Sequence, residues 1–194
     1  MPNKTWKHPQ LGTFTMRARF GRHLWENVLD LPAFAIFRFS RNGRFRGVKR
    51  LRCEIVGRES ESAPVKPTIH LCERIVKNQD KLVRNIRDSL FKDINGEGKD
   101  SGMWWRHDPI EFAVLCCEFL REKTRFSRVY HPEQIEMLIG GPQITIDQYS
   151  SDSKAPLAMI NFSSYFEDEH GLGVLTNGTS VLGLGYAGEA SPYH

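Results

Sequence analysis

The sequence predicts an α+β protein in which paired strands and a group of helices share one hydrophobic core. Segments near both ends of the 194-residue chain alternate apolar and polar residues with a period of two, whereas the middle has the spacing of amphipathic helices. An apolar fraction of 40% suffices for one sizeable core. The predicted order is an N-terminal β-hairpin, three central helices and a C-terminal antiparallel four-stranded meander. These strands are expected in one mixed or antiparallel sheet with the helices on one face.

The predicted domain begins after an irregular lead-in. Residues 1–24 scatter proline and glycine among aromatic and basic residues, which favours irregular chain. A single α+β domain is predicted for residues 25–194. Its aromatic run, residues 33–39, is β-prone and is followed by Asn42-Gly43, a dipeptide that suits a type I′ turn. The alternating residues 45–55 would return as the second strand of the N-terminal hairpin.

Three helices are predicted in the middle of the chain. Residues 69–94 place apolar side chains on one side and charged ones on the other, as in a long amphipathic helix. A second helix, from Asp108 to Lys123, begins with an N-cap aspartate, a proline at the first helical position and a glutamate three residues after the cap. A third begins at Pro132 and ends at Gly140-Gly141-Pro142.

The last third of the chain is predicted to be β-structure. Residues 143–149 and 157–166 alternate or are β-prone, and a polar loop separates them, so they are expected to pair as antiparallel neighbours. Residues 173–182 form a second hairpin pattern around Asn177-Gly178.

Composition and motifs predict where the protein is located and whether it needs a cofactor. The chain has no apolar run of the roughly 18 residues that span a bilayer, and residues 1–10 lack the apolar core of a signal peptide. We therefore expect a cytoplasmic protein without a membrane partner. No phosphate-binding glycine fingerprint is present, and we expect no cofactor. The four cysteines lie in apolar periodic segments and are predicted to be reduced core residues: Cys53, Cys72, Cys116 and Cys117.

Charge is distributed unevenly along the chain. Residues 1–58 hold 13 Lys and Arg against 3 Asp and Glu, so this part has a net charge of +10. The remainder holds 14 against 20, a net charge of −6. The basic part can be neutralised by the acidic part of the same chain or by an acidic partner.

The predicted N-terminal hairpin carries most of this basic charge. Its arginines are interleaved with phenylalanines, a composition typical of surfaces that contact phosphate groups. The first interpretation of the hairpin is a solvated strand face. As a binding surface, it predicts an acidic protein partner, with nucleic acid or another polyanion as the alternative. The candidate binding residues are Arg41, Arg44, Arg46, Arg50 and Arg52.

Two adjacent tryptophans are further candidates. Trp104 and Trp105 precede the second helix and lie outside a periodic segment. Such a pair can form a stacking platform or an interaction hot spot, and it can equally anchor a loop in the core.

A polar cluster precedes the last hairpin. Asp168, Glu169 and His170 supply ligands for a divalent metal or groups for acid–base chemistry. Neighbouring side chains on an extended chain point to opposite faces, so only alternate members could converge. In the other interpretation, these groups hydrogen-bond local backbone at a bend where Gly171 takes positive φ and Gly173 allows close strand approach.

The segment Glu169-His170-Gly171-Leu172-Gly173, preceded by an acidic residue and followed by a hairpin, resembles the end of an uncharacterised bacterial domain family. The resemblance implies an accessory or toxin-immunity-type protein that interacts with a partner without turnover.

Recognisable catalytic motifs are absent from the sequence. It contains no Gly-x-Ser-x-Gly and no His-Glu-x-x-His. We therefore expect a non-enzymatic binding module. One alternative is a metal-dependent enzyme centred on Asp168, Glu169 and His170, and another is polyanion binding through residues 38–52.

Overall fold

The α+β class is confirmed by the computed structural model, which describes residues 4–19, 21–41, 46–124, 128–149 and 155–193. The strands are β1 (Thr5–His8), β2 (Gly12–Arg19), β3 (Arg22–Asp30), β4 (Arg50–Gly57), β5 (Ile139–Asp147), β6 (Ala158–Ser164), β7 (Leu172–Thr176) and β8 (Val181–Tyr186). The helices are α1 (Lys66–Lys77), α2 (Gln79–Ile94), α3 (Trp104–His107), α4 (Pro109–Thr124) and α5 (Ile135–Leu138), together with 3₁₀ helices at Pro32–Ile36 and Pro132–Gln134.

The eight strands form one mixed sheet in sequential order. Every neighbouring pair is antiparallel except β4 and β5, which are parallel. Parallel neighbours need a crossover connection, and the five α-helices all lie in the one between β4 and β5. This topology gathers the described helices on one face of the sheet, and no helix in the described part of the chain covers the other face.

One hydrophobic core lies between the helices and the sheet. From the strands it receives side chains such as Trp25, Leu51 and Ile55, and from the helices side chains such as Leu82 and Ile86. Each of these five is essentially inaccessible to solvent. Because strand side chains alternate, the residues between the buried ones point to the opposite, open face.

The prediction of an irregular lead-in is wrong. Residues 1–24 contribute β1, β2 and the first residues of β3 to the same sheet, so the predicted boundary at residue 25 divides a strand. Gly12 and Gly21 adopt positive φ at the two turns. These glycines therefore mark tight connections between strands. Within β2, the buried Phe14 and Met16 alternate with more exposed neighbours, as in a strand with one face on the core.

The predicted N-terminal hairpin is also wrong. Pro32–Ile36 is a 3₁₀ helix, and Arg38 forms only an isolated bridge with Gly140. The partner of β4 is instead β3, in the register Trp25↔Ile55. The aromatic run is buried at Phe34, so burial against the core overrides its local β-propensity. The Asn42-Gly43 turn lies outside the described residues.

The helical region has more breaks than predicted. The long helix ends at Lys77, since Asn78 leaves helical geometry with φ −110° and ψ 19°, and its side chain donates to the Arg74 carbonyl at 2.8 Å. Helix α2 begins at Gln79. The capping aspartate is confirmed: the N–H of Glu111 donates to Asp108 Oδ1 at 2.8 Å.

The third predicted helix is a 3₁₀ turn followed by the four-residue α5, and its expected end, Gly140-Gly141-Pro142, lies inside β5. The register shifts between Gly140 and Gln143, and Gly141 takes a φ of +59° in this irregular stretch. A Cβ at Gly140 would overlap the backbone of Phe39. The glycines therefore serve a bulge and a close chain approach instead of a helix end.

The strands β5 to β8 follow one another as antiparallel neighbours. Residues 177–180 join β7 to β8, and Gly178 in this connection has positive φ. No helix among the described residues is both long and apolar enough to cross a membrane.

Candidate functional site on the open face of the sheet

The open face of β1–β4 is dominated by charged side chains. Its cations are Lys7, Arg17, Arg19, Arg22, Arg50 and Arg52, and its acids are Glu26, Asp30 and Glu54. These are all the acidic residues found before residue 59. Six cations against three acids make this face basic, although the two signs are mixed.

Glu26 is the centre of an ion-pair cluster on this face. Its carboxylate contacts Arg17 Nε at 3.3 Å, Arg19 Nε at 3.1 Å and Arg52 Nη2 at 3.0 Å. Arg52 also pairs with Glu54. The Glu26 side chain is 14% exposed, whereas the three arginines are 37% to 51% exposed. One covered carboxylate thus holds three guanidinium groups in place while they remain open to solvent. We call these five residues the Glu26 cluster.

Two arginines beside the cluster are not neutralised. Arg22 and Arg50 are exposed, and neither has an ion-pair partner among the described residues. Arg50 lies opposite Asp30 in the β3–β4 register, but the two form no ion pair in the described chain. Both arginines have donors available for a carboxylate of another molecule.

A groove of about 490 Å³ lies on the other half of the open face. Its volume is within the range of ligand-binding clefts. The amide of Asn161 lies in this groove, where it accepts the Gly188 N–H at 2.9 Å and donates to Thr145 Oγ1 at 3.4 Å. Arg22 lies at the groove as well and joins it to the basic half of the face. The lining residues are Arg22, Val56, Thr145, Asp147, Leu157, Met159, Asn161, Leu175, Gly188, Glu189, Ala190, Ser191 and Pro192.

One wall of the groove is the C-terminal segment, residues 187–193, which folds back over the open face of β8. The Tyr193 N–H donates to the Leu182 carbonyl at 2.8 Å. Gly183 and Gly185 make room for the segment: a Cβ on Gly183 would overlap the Ser191 carbonyl, and one on Gly185 would lie 2.7 Å from the Cα of Ala190. The glycine spacing in β8 therefore shapes the groove.

The predicted basic residues are only partly brought together. Arg50 and Arg52 lie on the open face of β4, as the alternation indicates. Arg41 and Arg46 are exposed beside residues 42–45, and Arg44 lies outside the described residues. Since β4 pairs with β3, the predicted hairpin face is replaced by a surface built from β2, β3 and β4.

The tryptophan pair belongs to the interior more than to a binding surface. Trp105 is fully buried, and its Nε1–H donates to Asp93 Oδ2 at 2.8 Å. Trp104 is half-buried, and its Nε1–H donates to Glu167 Oε2 at 2.9 Å. The rings meet edge to face at 6.1 Å. The burial of Trp105 agrees with the interpretation of the pair as an anchor in the core.

A second arginine–carboxylate cluster lies beside Trp105. Asp93, 1% exposed, accepts from Trp105, from Ser101 Oγ at 2.6 Å and from Arg106 Nη1 at 3.2 Å. Arg106 also donates to the carbonyls of four consecutive loop residues, 96–99. We call this the Asp93 cluster, and its contacts hold the loop between α2 and α3.

The polar segment before β7 is a turn, and the carboxylate that hydrogen-bonds across it belongs to Glu167. This side chain accepts the backbone N–H of His170 and contacts its Nδ1, both at 3.2 Å. Asp168 and Glu169 are exposed, and the His170 side chain is 51% exposed. Gly171 has a φ of +72°, and a Cβ on Gly173 would overlap the Tyr186 carbonyl, as the bend interpretation expects.

Metal-binding and thiol chemistry receive no support from the described residues. No three His, Cys, Asp or Glu side chains there are grouped to hold a metal ion. The cysteines are free, and burial raises the pKa of the Cys116 thiol to about 12. A hydrogen bond with Cys72, together with burial, raises the pKa of Cys53. Thiols of this kind stay protonated and unreactive at neutral pH.

Sequence reasoning missed Arg17, Arg19 and Glu26, which form most of the Glu26 cluster. The signal was the alternation of Phe14 and Met16 with polar neighbours, which predicts a strand. No protein-family model, curated protein or solved structure matches this chain. The resemblance of residues 169–173 to a bacterial domain family therefore stays a prediction.

Proposed function

We propose that this chain is a non-enzymatic binding module that binds an acidic protein partner on the open face of its sheet. The observation that carries the proposal is the Glu26 cluster with Arg22 and Arg50 beside it. A guanidinium that one carboxylate already holds in place loses less conformational entropy on binding a second carboxylate than a freely moving guanidinium does. The face is therefore preorganised for carboxylates.

The mixture of charges favours a protein over a nucleic acid. Glu26, Asp30 and Glu54 lie among the cations, and a phosphate backbone laid across this face would meet them as well as the arginines. A protein partner can place cations opposite these acids and carboxylates opposite the arginines. Polyanion binding is the second candidate, supported by the net basic charge of the same face.

The groove adds an apolar component to the proposed interface. Val56, Met159 and Pro192 line it, and Arg22 lies at the same opening. A partner segment with an apolar side chain next to an acidic one would fill the groove and reach Arg22. Interfaces commonly combine an apolar anchor with surrounding polar contacts.

An immunity-type role is the form of this function that the resemblance of residues 169–173 implies. In that form, the partner is a toxin with an acidic surface. A toxin-like reading frame beside this gene would support the immunity-type role, whereas a neighbourhood of metabolic genes would count against it.

The test measures binding of a labelled peptide of alternating glutamate and leucine by fluorescence anisotropy. Reversal of two unpaired arginines, Arg22→Glu with Arg50→Glu, should weaken binding by at least about tenfold and reduce its salt dependence. Both side chains are exposed, so circular dichroism and thermal unfolding should remain close to wild type.

The matched control is Lys81→Glu with Arg84→Glu, which changes the net charge equally at two exposed positions on α2. Equal weakening by the control would mean that overall charge, and not the open face, determines binding. Duplex DNA and heparin are the competing probes. Tighter binding of either than of the acidic peptide, abolished by the same arginine reversals, would replace the acidic protein with a polyanion.

A further inference from the structure

Helix α4 has apolar side chains on its exposed side as well as on its core-facing side. Phe112, Cys116 and Leu120 pack into the core, while Ile110 and Val114 on another side are 76% and 70% exposed. A surface helix normally directs its large apolar side chains to the core, so an exposed apolar pair marks a candidate contact surface. The exposed pair lies one turn apart and forms a short ridge, which we call the α4 ridge.

A row of carboxylates runs beside this ridge. Glu111, Glu118 and Glu122 are separated by seven and four residues, so they lie on one side of the helix, and all three are exposed. Among the described residues of α4, Arg121 is the cation on the same exposed side, so three acids and one base give this side a net charge of −2. Like charges four residues apart, as at Glu118 and Glu122, destabilise an isolated helix.

We infer that the exposed side of α4 binds a basic amphipathic helix of a partner protein, whose apolar row packs on Ile110 and Val114 and whose cations pair with Glu111, Glu118 and Glu122. Charge complementarity selects this occupant. An antiparallel twofold pairing of α4 with a second copy would bring the two glutamate rows together. A basic helix covers the ridge and also relieves the repulsion along the row.

This site is independent of the proposed function. The α4 ridge lies on a helix of the β4–β5 connection, and the open face lies on the other side of the sheet. The two surfaces have opposite charge, so their partners differ in chemistry.

The experiment uses the full chain and two labelled helical peptides of 16 residues, the length of α4. Both have leucine along one face, and the rest is lysine in one peptide and glutamate in the other. The lysine peptide should bind. The double variant Ile110→Ser with Val114→Ser should bind the lysine peptide at least about tenfold more weakly than wild type. The double variant Glu118→Lys with Glu122→Lys should bind it more weakly still and should prefer the glutamate peptide.

The control, Glu59→Lys with Glu189→Lys, reverses the same number of exposed acids away from α4. Equal loss in this control, or failure of the wild type to bind the lysine peptide, would overturn the proposal. A wild-type dimer in sedimentation equilibrium that the Ile110 and Val114 variant dissociates would overturn it in favour of a second copy. Arg22→Glu with Arg50→Glu should leave ridge-dependent binding of the lysine peptide in place, which separates this site from the open face.

Discussion

The Asp93 cluster and the Glu26 cluster use the same arginine–carboxylate chemistry in different surroundings. Asp93 and Arg106 are 1% and 12% exposed, and their remaining donors and acceptors are used by Trp105, Ser101 and loop carbonyls. Glu26 is 14% exposed, but its arginines are 37% to 51% exposed. The first cluster is satisfied within the chain, and the second leaves guanidinium donors facing solvent.

A structural ion pair differs from one that can bind a partner in the burial of its charges. A buried charge must have its partners inside the protein, because leaving it unpaired is costly. An exposed arginine can exchange water for a ligand at little cost to folding. Substitutions in the two clusters should therefore affect different properties: stability at Asp93 and binding near Glu26.

The largest effect is expected for Asp93→Ala. This change removes the acceptor of Trp105, Ser101 and Arg106 and leaves a guanidinium without its buried counter-charge. We expect a loss of about 3–5 kcal/mol in the free energy of unfolding, measured by urea denaturation. Asp100→Ala, at a 55% exposed carboxylate that also contacts Arg106, is the control and should lower the free energy of unfolding far less than Asp93→Ala does. Equal losses of stability in the two variants would mean that burial of Asp93 does not explain its effect.

A smaller effect is expected for Arg106→Lys. Lysine keeps the charge but cannot donate in the planar fork with which Arg106 reaches Asp93 and the carbonyls of residues 96–99. We expect a loss of about 2 kcal/mol, since several hydrogen bonds are weakened at once. Hydrogen exchange should become faster at the loop amides and stay unchanged in β6 and β7. A change spread evenly over the chain would contradict this role of Arg106.

The two clusters also differ in how far the sequence predicts them. The cap at Asp108 and the alternation in β4 are local signals, and the elements they predict are present. The Glu26 cluster depends on which strands are neighbours, and the pairing of β3 with β4 is not encoded in either segment alone. The Asp93 cluster joins the end of α2 to α3 across a loop, and an aspartate at an amphipathic position gives no sign that it is buried.

A third, still smaller effect is expected for Glu26→Gln. Its ion pairs involve exposed arginines, so the free energy of unfolding should fall by about 1 kcal/mol or less. In about 1 M salt, where the screening length is roughly 3 Å, this loss should nearly vanish, whereas the loss from Asp93→Ala should persist. Parallel urea titrations at low and high salt measure both. A salt-resistant loss at Glu26 would mean that the cluster contributes to the fold as the Asp93 cluster does.

The smallest effect concerns pH and Asp100, at the solvent edge of the Asp93 cluster. The hydrogen bond from the Gly102 N–H, at 2.7 Å, lowers the pKa of Asp100 below its ordinary value of 3.8, and the charges of Arg106 and His107 act in the same direction. A carboxylate with a lowered folded-state pKa stabilises the protein fully above its unfolded pKa, and this contribution is lost as the pH falls through the folded value. The stability difference between wild type and Asp100→Asn should therefore be present at neutral pH and shrink as the pH falls below about 4. Urea titrations across that range measure it.

Asp168→Asn, which removes an exposed carboxylate with no hydrogen bond or ion pair among the described residues, is the control. The same pH dependence in both variants would contradict a specific role for the Gly102 contact.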